Sequence, residues 1–277
     1  MTLRFDPGLY QIGHDAYLAA DAAGSGDLKA LLRSPAHMVA KRAEEIRETP
    51  ALLFGRALHA AVLEPEWFAE AWAVAPEGDR RTKAGKAAWE EFCRENAGRS
   101  LLPAGDMETI RRMQDAVLGN AAAVAAIGGQ GEREGSLFWF DERTGERCKA
   151  RPDIRREDGI IVDLKSCEDA SPAGFAKAAA RFGYHVQDAH YSDGHEAVFG
   201  APCTGFVFVA VEKAAPYGVA VYTLDQEAKE AGRRMVRAAL NRISACRLAK
   251  SWPCYSEDVQ TLSLPRWATA TKEGEEG

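Results

Sequence analysis

Two carboxylates and a lysine in neighbouring strand-like runs constrain this chain more than any other feature. Asp153 follows the run Arg147–Arg151, and the next run, Gly159–Lys165, reads as a buried strand ending in a charged tip with Asp163 and Lys165. Such charges are costly to bury without a partner. Because side chains alternate along a strand, Lys165 projects from the same face as Asp163. The pattern indicates a Mg²⁺ site, since Mg²⁺ is bound by one or two carboxylates and keeps several waters.

The same short pattern also fits a solvated turn between two antiparallel strands, with an Asp–Lys pair at its rim, because such patterns recur by chance. Three further observations favour the metal site. His59 lies in an apolar helical run; a lone histidine there is more often a core residue, but neutral imidazole is a good metal ligand. Gln187 and Tyr191 are four residues apart and share one predicted helix face. Glu134 comes just before another strand-like run.

Together these residues resemble the PD-(D/E)XK nuclease superfamily, in its RecB-like branch. A more specific similarity, to the exodeoxyribonuclease VIII (RecE-type) nuclease domain, spans most of the chain. It rests on blocks that occur in the same order: Leu53–His59, Val62–Pro65, Arg80–Lys86, Tyr184–Ala189, Tyr191–Gly194 and Thr261–Trp267. Each block is weak alone, and together they are specific.

The resemblance implies an α/β fold, a PD-(D/E)XK restriction-endonuclease-like core with a mixed central sheet flanked by helices and a helical N-terminal part. It implies that Asp153, Asp163 and His59 hold Mg²⁺, for which Mn²⁺ could substitute, with the Leu164 carbonyl as a further ligand. Lys165 would orient or deprotonate the attacking water, or stabilise the charged transition state. We favour orientation and charge stabilisation, because nearby carboxylates oppose the fall in pKa that deprotonation requires.

The remaining site residues have supporting roles in this interpretation. Glu134 would hold a second metal or a water of the first, and Gln187 and Tyr191 would position phosphate or the substrate strand. For Tyr191, an anchoring role on the helix face, with its hydroxyl satisfied locally, is equally open.

The activity implied by the resemblance is a Mg²⁺-dependent exodeoxyribonuclease. It would degrade linear double-stranded DNA 5′→3′ and leave 3′ single strand for recombination by strand annealing. A ring-like tetramer, a single-strand annealing protein as partner and a phage or prophage origin are implied on the same ground. Two alternatives stay open: another PD-(D/E)XK DNA nuclease, Cas4-like or of repair type, and a non-catalytic DNA-binding or assembly protein that keeps the fold.

Charge and composition limit how such a protein could bind DNA. The net charge of −6 argues against a simple basic DNA-binding protein, but phosphate affinity depends on where basic residues cluster. The densest cluster, here called the basic run, contains Arg80, Arg81, Lys83 and Lys86. Its glycine and threonine predict a loop, which either contacts phosphates or is a solvated connection between helices.

Cysteines and hydropathy exclude several other classes of site and protein. No C-x-x-C pair occurs among the 6 cysteines, so neither a zinc ribbon nor a four-cysteine iron–sulfur cluster is expected, which speaks against Cas4. No apolar run approaches the ~20 residues of a membrane helix, and no signal-peptide stretch is present, so we expect a cytoplasmic protein without a membrane partner.

We expect one nuclease domain over residues 1–270, mostly helical over 1–130, with the catalytic core and C-terminal tail over 131–270. Residues 271–277 are expected to be a disordered acidic tail. The predicted elements include helices begun by Ser34-Pro35 and Thr49-Pro50, one helix from Ala104 to Ala126, three strands between Ser136 and Ser166, a helix over Tyr184–Phe199 and a long helix from Asp225 to about Leu248.

Overall fold

The structure is a computed structural model, and it describes residues 3–44, 48–76 and 81–265. The helices of these residues are α1 (His14–Ala19), α2 (Ser25–Arg33), α3 (Pro35–Ala43), α4 (Pro50–Leu63), α5 (Pro65–Ala71), α6 (Lys83–Glu95), α7 (Ala104–Gly119), α8 (Ala121–Ile127), α9 (Pro172–Phe182), α10 (Tyr184–Phe199) and α11 (Gln226–Ala249). The strands are β1 (Gly8–Tyr10), β2 (Trp72–Val74), β3 (Ser100–Leu102), β4 (Gly131–Arg133), β5 (Ser136–Phe140), β6 (Arg147–Ala150), β7 (Ile154–Arg156), β8 (Ile160–Cys167), β9 (Gly205–Glu212) and β10 (Val219–Tyr222).

A mixed five-stranded sheet with the strand order β10-β9-β8-β7-β4 lies at the centre of the fold. Strands β8 and β9 are parallel, and the other neighbouring pairs are antiparallel. Helices cover both faces of this sheet, which is why its central strands can be apolar along most of their length. The predicted mixed sheet flanked by helices is therefore confirmed.

The two faces of the central sheet pack against different helices. One face, called the α10 face, buries Ile161 and Phe208 against α2, α9, α10 and α11. The other, called the α4 face, buries Val162 and Val209 against α4, α7 and α8. Since side chains alternate along β8, Asp163 and Lys165 lie on the α10 face with Ile161.

Two smaller sheets complete the fold. Strands β1, β5 and β6 form an antiparallel sheet with β5 in the middle, and Trp139 of β5 packs on His190 of α10 with 4.8 Å between ring centroids. Strands β2 and β3 form a parallel pair. The three-stranded sheet thus closes one side of the α10 face.

Two predicted elements are wrong in detail. The helix predicted over residues 104–126 is interrupted at Asn120, whose side-chain oxygen accepts a hydrogen bond from the Ala123 amide at 3.0 Å and caps α8. The region between Ser136 and Ser166 contains four strands instead of three, because β5 and β6 belong to a different sheet from β7 and β8.

The predicted loop of the basic run is also corrected where the structure describes it. The Thr82 side chain accepts a hydrogen bond from the Gly85 amide at 3.0 Å and caps α6. Lys83 and Lys86 therefore lie at the start of a helix.

Other predictions fall outside what the structure describes or tests. Residues 271–277 lie outside the described residues, and the division into a helical part and a catalytic core stays a prediction. Within the described ranges, no helix combines the length and the apolar character required to cross a membrane.

Candidate active site

A histidine and two carboxylates meet beside the central sheet, and their ligand atoms all lie within 4.8 Å of one another. His59 Nδ1 lies 3.3 Å from Asp153 Oδ1 and 3.9 Å from Glu134 Oε1. The backbone brings the two acids together, because the Glu134 amide donates to the Asp153 carbonyl at 3.0 Å. This group, called the His59 cluster, offers the nitrogen and oxygen donors that divalent metal ions accept.

The local sequence of α4 explains where His59 lies. Pro50 occupies the first helical position, and the Thr49 side chain accepts a hydrogen bond from the Leu52 amide at 3.3 Å, as predicted for the start of this helix. Leu58 and Ala61 are fully buried in the α4-face core. That packing leaves the His59 side chain 27% exposed, so the imidazole is neither in the core nor free in solvent.

Asp163 and Lys165 lie next to this cluster, beneath α10. Asp163 is 2% exposed and lies in the middle of β8. The predicted position at the tip of a strand is therefore wrong, because β8 stays paired with β9 as far as Cys167. One carboxylate oxygen, Oδ1, accepts a hydrogen bond from the Gln187 amide, and Oδ2 forms an ion pair with the Lys165 ammonium. No aligned hydrogen bond from the described residues reaches Oδ2, which is buried.

The two carboxylates are linked through the backbone of β8. Among the described residues, β7 pairs with β8 through Ile154 and Arg155 alone, so the Leu164 amide has no strand partner there on that side. It donates instead to Asp153 Oδ2 at 2.6 Å. Since the amide and carbonyl of one strand residue point to the same side, the Leu164 carbonyl faces the same gap between the strands.

Burial and charge shift the pKa values of these groups in different directions. Burial raises the pKa of both carboxyls, and it prevails at Asp163, whereas the His59 charge and hydrogen bond hold the pKa of Asp153 below its usual value. Burial lowers the pKa of His59, but Asp153 and Glu134 outweigh it and raise that pKa to about 10. Burial also lowers the pKa of Lys165, and Asp163 and Asp153 raise it above its usual value. A lysine in this environment is a poor base and a persistent positive charge.

Arg151 holds Glu134, a contact that the sequence did not suggest. Its Nε donates to Glu134 Oε2 at 2.8 Å, and a second nitrogen donates to the Ser136 hydroxyl at 2.9 Å and to the Ile12 carbonyl at 2.8 Å. Glu134 has a φ of 51°, in the left-handed region that residues other than glycine rarely adopt. Such a conformation costs on the order of 1–3 kcal/mol, and it persists where the surroundings fix it.

Lys29 and Tyr184 are two further residues that sequence patterns missed. The Lys165 ammonium lies 5.0 Å from the centroid of the Tyr184 ring. Lys29 of α2 donates to the Phe182 carbonyl at 3.1 Å, and burial, followed by the Lys165 and Lys41 charges, lowers the pKa of Lys29 to about 8. Lys29 is far from the motifs in sequence, so only the packing of α2 reveals it.

Tyr191 lies in the core of the α10 face. It is 8% exposed, and its ring centroid lies 6.2 Å from that of Phe206. Burial, with the nearby hydroxyl of Tyr17 and the carboxylate of Asp163, raises the pKa of Tyr191 well above its usual value. No hydrogen bond among the described residues joins it to the carboxylates, so its role stays a prediction.

The basic run is only partly described. Arg80 lies outside the described residues. Arg81, Lys83 and Lys86 are exposed, and none of the described ion pairs connects them to the His59 cluster. Their contact with DNA stays a prediction.

The fold is similar to that of a candidate exonuclease from Eubacterium rectale, with a TM-score of 0.61 and 14% identity over 95% of this chain and 99% of that chain. A phage-related exonuclease from Haemophilus somnus 129PT gives a TM-score of 0.31 and 11% identity over 76% of this chain and 100% of that chain. An alkaline exonuclease from Laribacter hongkongensis gives a TM-score of 0.27 and 14% identity over 70% of this chain and 97% of that chain. At such identities the first similarity shows the fold alone, and the two low scores carry no argument.

One protein family matches most of the chain, whereas no curated protein matches the chain. Residues 24–265 match a family described as a PDDEXK-like domain of unknown function, DUF3799. The match covers well over half of the 277 residues, and the chain therefore belongs to this PDDEXK-like family.

Proposed function

We propose that this protein is a Mg²⁺-dependent exodeoxyribonuclease that degrades linear double-stranded DNA. The proposal rests on one observation. The hydrogen bond from the Leu164 amide to Asp153 joins the His59 cluster to the strand that carries Asp163 and Lys165. Membership of a PDDEXK-like family supports the same reaction class. A purely structural role would not explain why carboxylates, imidazole and lysine converge at one partly open position.

The residues of the site fit a divalent metal ion. The His59 cluster groups three ligand atoms, and the buried Asp163 Oδ2 forms an ion pair with Lys165 but no aligned hydrogen bond among the described residues, so this donor set suits a divalent cation. Asp153, Asp163, His59 and the Leu164 carbonyl would hold Mg²⁺ or Mn²⁺, and Glu134 a second ion or a water. The ion, when bound, supplies a water of lowered pKa and neutralises phosphate charge.

The side chains around the site have distinct tasks in this reaction. Lys165 keeps its proton and lies on the strand face of Asp163, so it would orient the attacking water and offset charge on the scissile phosphate. Gln187 fixes the Asp163 carboxylate, and Arg151 fixes Glu134. Lys29 adds a second cation beside Lys165. Tyr191 would position the substrate strand.

The finer assignment rests on the resemblance to RecE-type nucleases. We propose 5′→3′ polarity on double-stranded ends, with 3′ single strand left for strand annealing and recombination. A ring-like tetramer and a single-strand annealing partner belong to the same proposal.

Digestion of end-labelled DNA tests the proposal. With Mg²⁺, a linear duplex labelled at either end should release label from the 5′ strand first, and closed circular DNA should stay intact. Release from 3′ ends, or efficient cutting of closed circles, favours another nuclease of the same fold. If purified protein binds duplex but digests none with Mg²⁺ or Mn²⁺, the non-catalytic alternative is correct.

A further inference from the structure

A second charged region, called the arginine groove, lies between α11, α10 and the turn that joins β5 to β6. The groove has a volume of about 540 Å³, and it is lined by Arg143, Asp193, Arg233, Arg234, Arg237, Ala238 and Asn241. Four arginines and one aspartate line the groove, and Asp141 beside it pairs with Arg237, so the region keeps a net positive charge although the chain has a net charge of −6. Local charge of this kind decides affinity for anions, whatever the sign of the whole protein.

The groove is separate from the His59 cluster. Gln187 of α10 donates to Asp163, whereas Asp193, six residues later, interacts with the charges of Arg237 and Arg233 on α11. Six residues advance about 9 Å along a helix and turn to a different side of it. The groove therefore lies about 9 Å further along α10 than Gln187 and on a different side of that helix.

One arginine of the groove has a structural partner. Arg237 donates two hydrogen bonds to the Asp141 carboxylate, at 2.8 and 2.9 Å, and the Thr144 amide donates to the same carboxylate at 2.9 Å. These bonds attach the turn that carries Arg143 to α11. The position of Arg143 relative to α11 is thus fixed by the fold.

The other three arginines form no such hydrogen-bonded pair within the described part of the chain. Arg143, Arg233 and Arg234 are exposed, and within the described residues they form no ion pair. Elsewhere this chain does pair exposed arginines with glutamates one turn away, as in Arg94 with Glu91 and Arg112 with Glu108. Asp193 and Asp188 interact with the Arg233 charge, although neither forms an ion pair with it among the described residues. Three exposed guanidinium groups without an ion pair around one groove indicate an external anion, and the guanidinium fork matches phosphate.

We propose that the arginine groove binds the phosphate backbone of duplex DNA, as a contact additional to the active site. This inference rests on the proposed function. Arg143, Arg233 and Arg234 each reach phosphate oxygens, so the contact is electrostatic and does not read the base sequence. Its effect is to hold duplex DNA on the protein while the end is processed.

The test is the salt dependence of DNA binding by the full chain carrying Arg233→Gln and Arg234→Gln. Binding of a fluorescent duplex is measured by anisotropy with Ca²⁺ replacing Mg²⁺, so that the duplex is not digested. We expect weaker binding, roughly tenfold for each arginine–phosphate interaction removed at about 0.1 M salt, and a slope of log affinity against log salt flatter by about 0.9 for each such interaction. The same changes should appear with duplexes of unrelated sequence.

A matched control separates the groove from the overall charge. Arg94→Gln with Arg112→Gln removes the same charge from side chains that are 74% and 58% exposed and paired within their own helices. This variant should keep the wild-type salt slope.

Equal affinity and slope for the groove variant and the wild type would overturn the inference. So would a fall in oligomer mass by light scattering without DNA, since the groove would then be a subunit contact. The nuclease proposal fails differently: wild-type protein would not digest DNA with any divalent metal, even if the groove variant lost affinity as expected.

Discussion

Helix α10 and helices α4, α7 and α8 cover opposite faces of the same sheet, yet they bury different side chains. Every buried residue of α7 and α8 is apolar, and so is every buried residue of α4. Helix α10, in contrast, buries Gln187, Asp188, His190 and His195. Because burying polar groups costs free energy unless they are fully hydrogen-bonded, a helix built this way is not optimised for stability alone.

The difference separates two tasks. The α4 face gains stability from close apolar packing, and the His59 cluster lies at its edge. The α10 face is less stabilised by apolar packing, because it buries polar groups, and it holds Asp163, Lys165 and Gln187 in fixed positions. Substitutions in the apolar core of the α4 face should therefore change the free energy of unfolding, and substitutions of Asp163, Lys165 or Gln187 should change catalysis.

Asp163→Ala should have the largest effect. It removes the carboxylate that contacts both Lys165 and Gln187, so Mg²⁺-dependent digestion of linear duplex should fall below detection while the protein stays folded. This loss exceeds the ~10–100-fold loss typical of residues that only support metal ligands. Single-turnover digestion of labelled duplex measures it, and circular dichroism checks the fold.

Asp188→Ala is the matched control. Asp188 of α10 is, like Asp163, a buried carboxylate, but it accepts a hydrogen bond from the Ser192 hydroxyl at 3.2 Å and, among the described residues, none from the site. Its activity should remain. Near wild-type digestion by Asp163→Ala would show that the assigned site is wrong. With Ca²⁺, wild-type protein should bind DNA without turnover, since Ca²⁺ coordinates less strictly than Mg²⁺.

Ile110→Ala tests the other face. Ile110 of α7 is fully buried in the α4-face core, so removing its side chain should lower the free energy of unfolding by about 2–5 kcal/mol. Urea unfolding measures this change. Digestion per folded molecule should be unchanged, and a large loss of activity without loss of stability would contradict the division between the faces.

Local sequence pattern correctly predicted those features that depend on a single short segment of the chain. Asp153 directly precedes β7, Asp163 and Lys165 lie on the adjacent β8, and the helix predicted over Tyr184–Phe199 has those bounds in the structure. An interruption of a helix by a capping residue could not be predicted in this way. Asn120 lies within a continuous helical pattern, yet it ends α7 and caps α8.

Contacts between distant segments could not be predicted. The bond from Arg151 to Glu134 depends on the pairing of β5 with β6 and of β4 with β7. The interaction of the Lys29 and Lys165 charges depends on the packing of α2 against α10. The arginine groove likewise combines a turn with two helices. Pairings of this kind have no periodicity in the sequence.

A pH series tests the polar character of α10. His190 is fully buried; its Nε2 donates to the Ala23 and Lys149 carbonyls, at 3.2 and 3.1 Å, and its Nδ1 has no hydrogen-bond partner within the described residues. Burial lowers the pKa of His190 from 6.5 to about 4. The unfolded chain therefore binds a proton that the folded chain excludes, and the free energy of unfolding should fall as pH falls from 6.5 to 4.

The expected size is about 3 kcal/mol over this window. His190→Gln keeps a donor for the two carbonyls but cannot titrate, so its free energy of unfolding should fall less over the same range. Urea unfolding at several pH values measures the difference between the variant and the wild type. Parallel curves would show that His190 does not exclude the proton, and the contrast between the two faces would lose this support.

The smallest expected effect concerns the basic run, and it tests whether the helices beside the α4 face also contact DNA. Lys83 and Lys86 lie three residues apart at the start of α6, so they share one side of the helix. Helix α6 borders the α4-face region, since Trp89 lines a groove with Leu53 of α4. If these lysines contact phosphates, Lys83→Gln with Lys86→Gln should flatten the salt dependence of log affinity by about 0.9 for each lysine–phosphate interaction removed.

Anisotropy with Ca²⁺ measures that slope, and Lys177→Gln with Lys213→Gln is the control, because it removes two exposed lysines outside α6. Digestion at saturating DNA and low salt should survive in both variants, because neither touches the carboxylates. A flattened slope in the α6 variant alone would mean that DNA also contacts α6, beside the α4 face. That side of the protein would then bind DNA in addition to stabilising the fold. An unchanged slope would mean that Lys83 and Lys86 only begin a solvated helix and that other basic residues, such as those of the arginine groove, provide the positive charge for DNA.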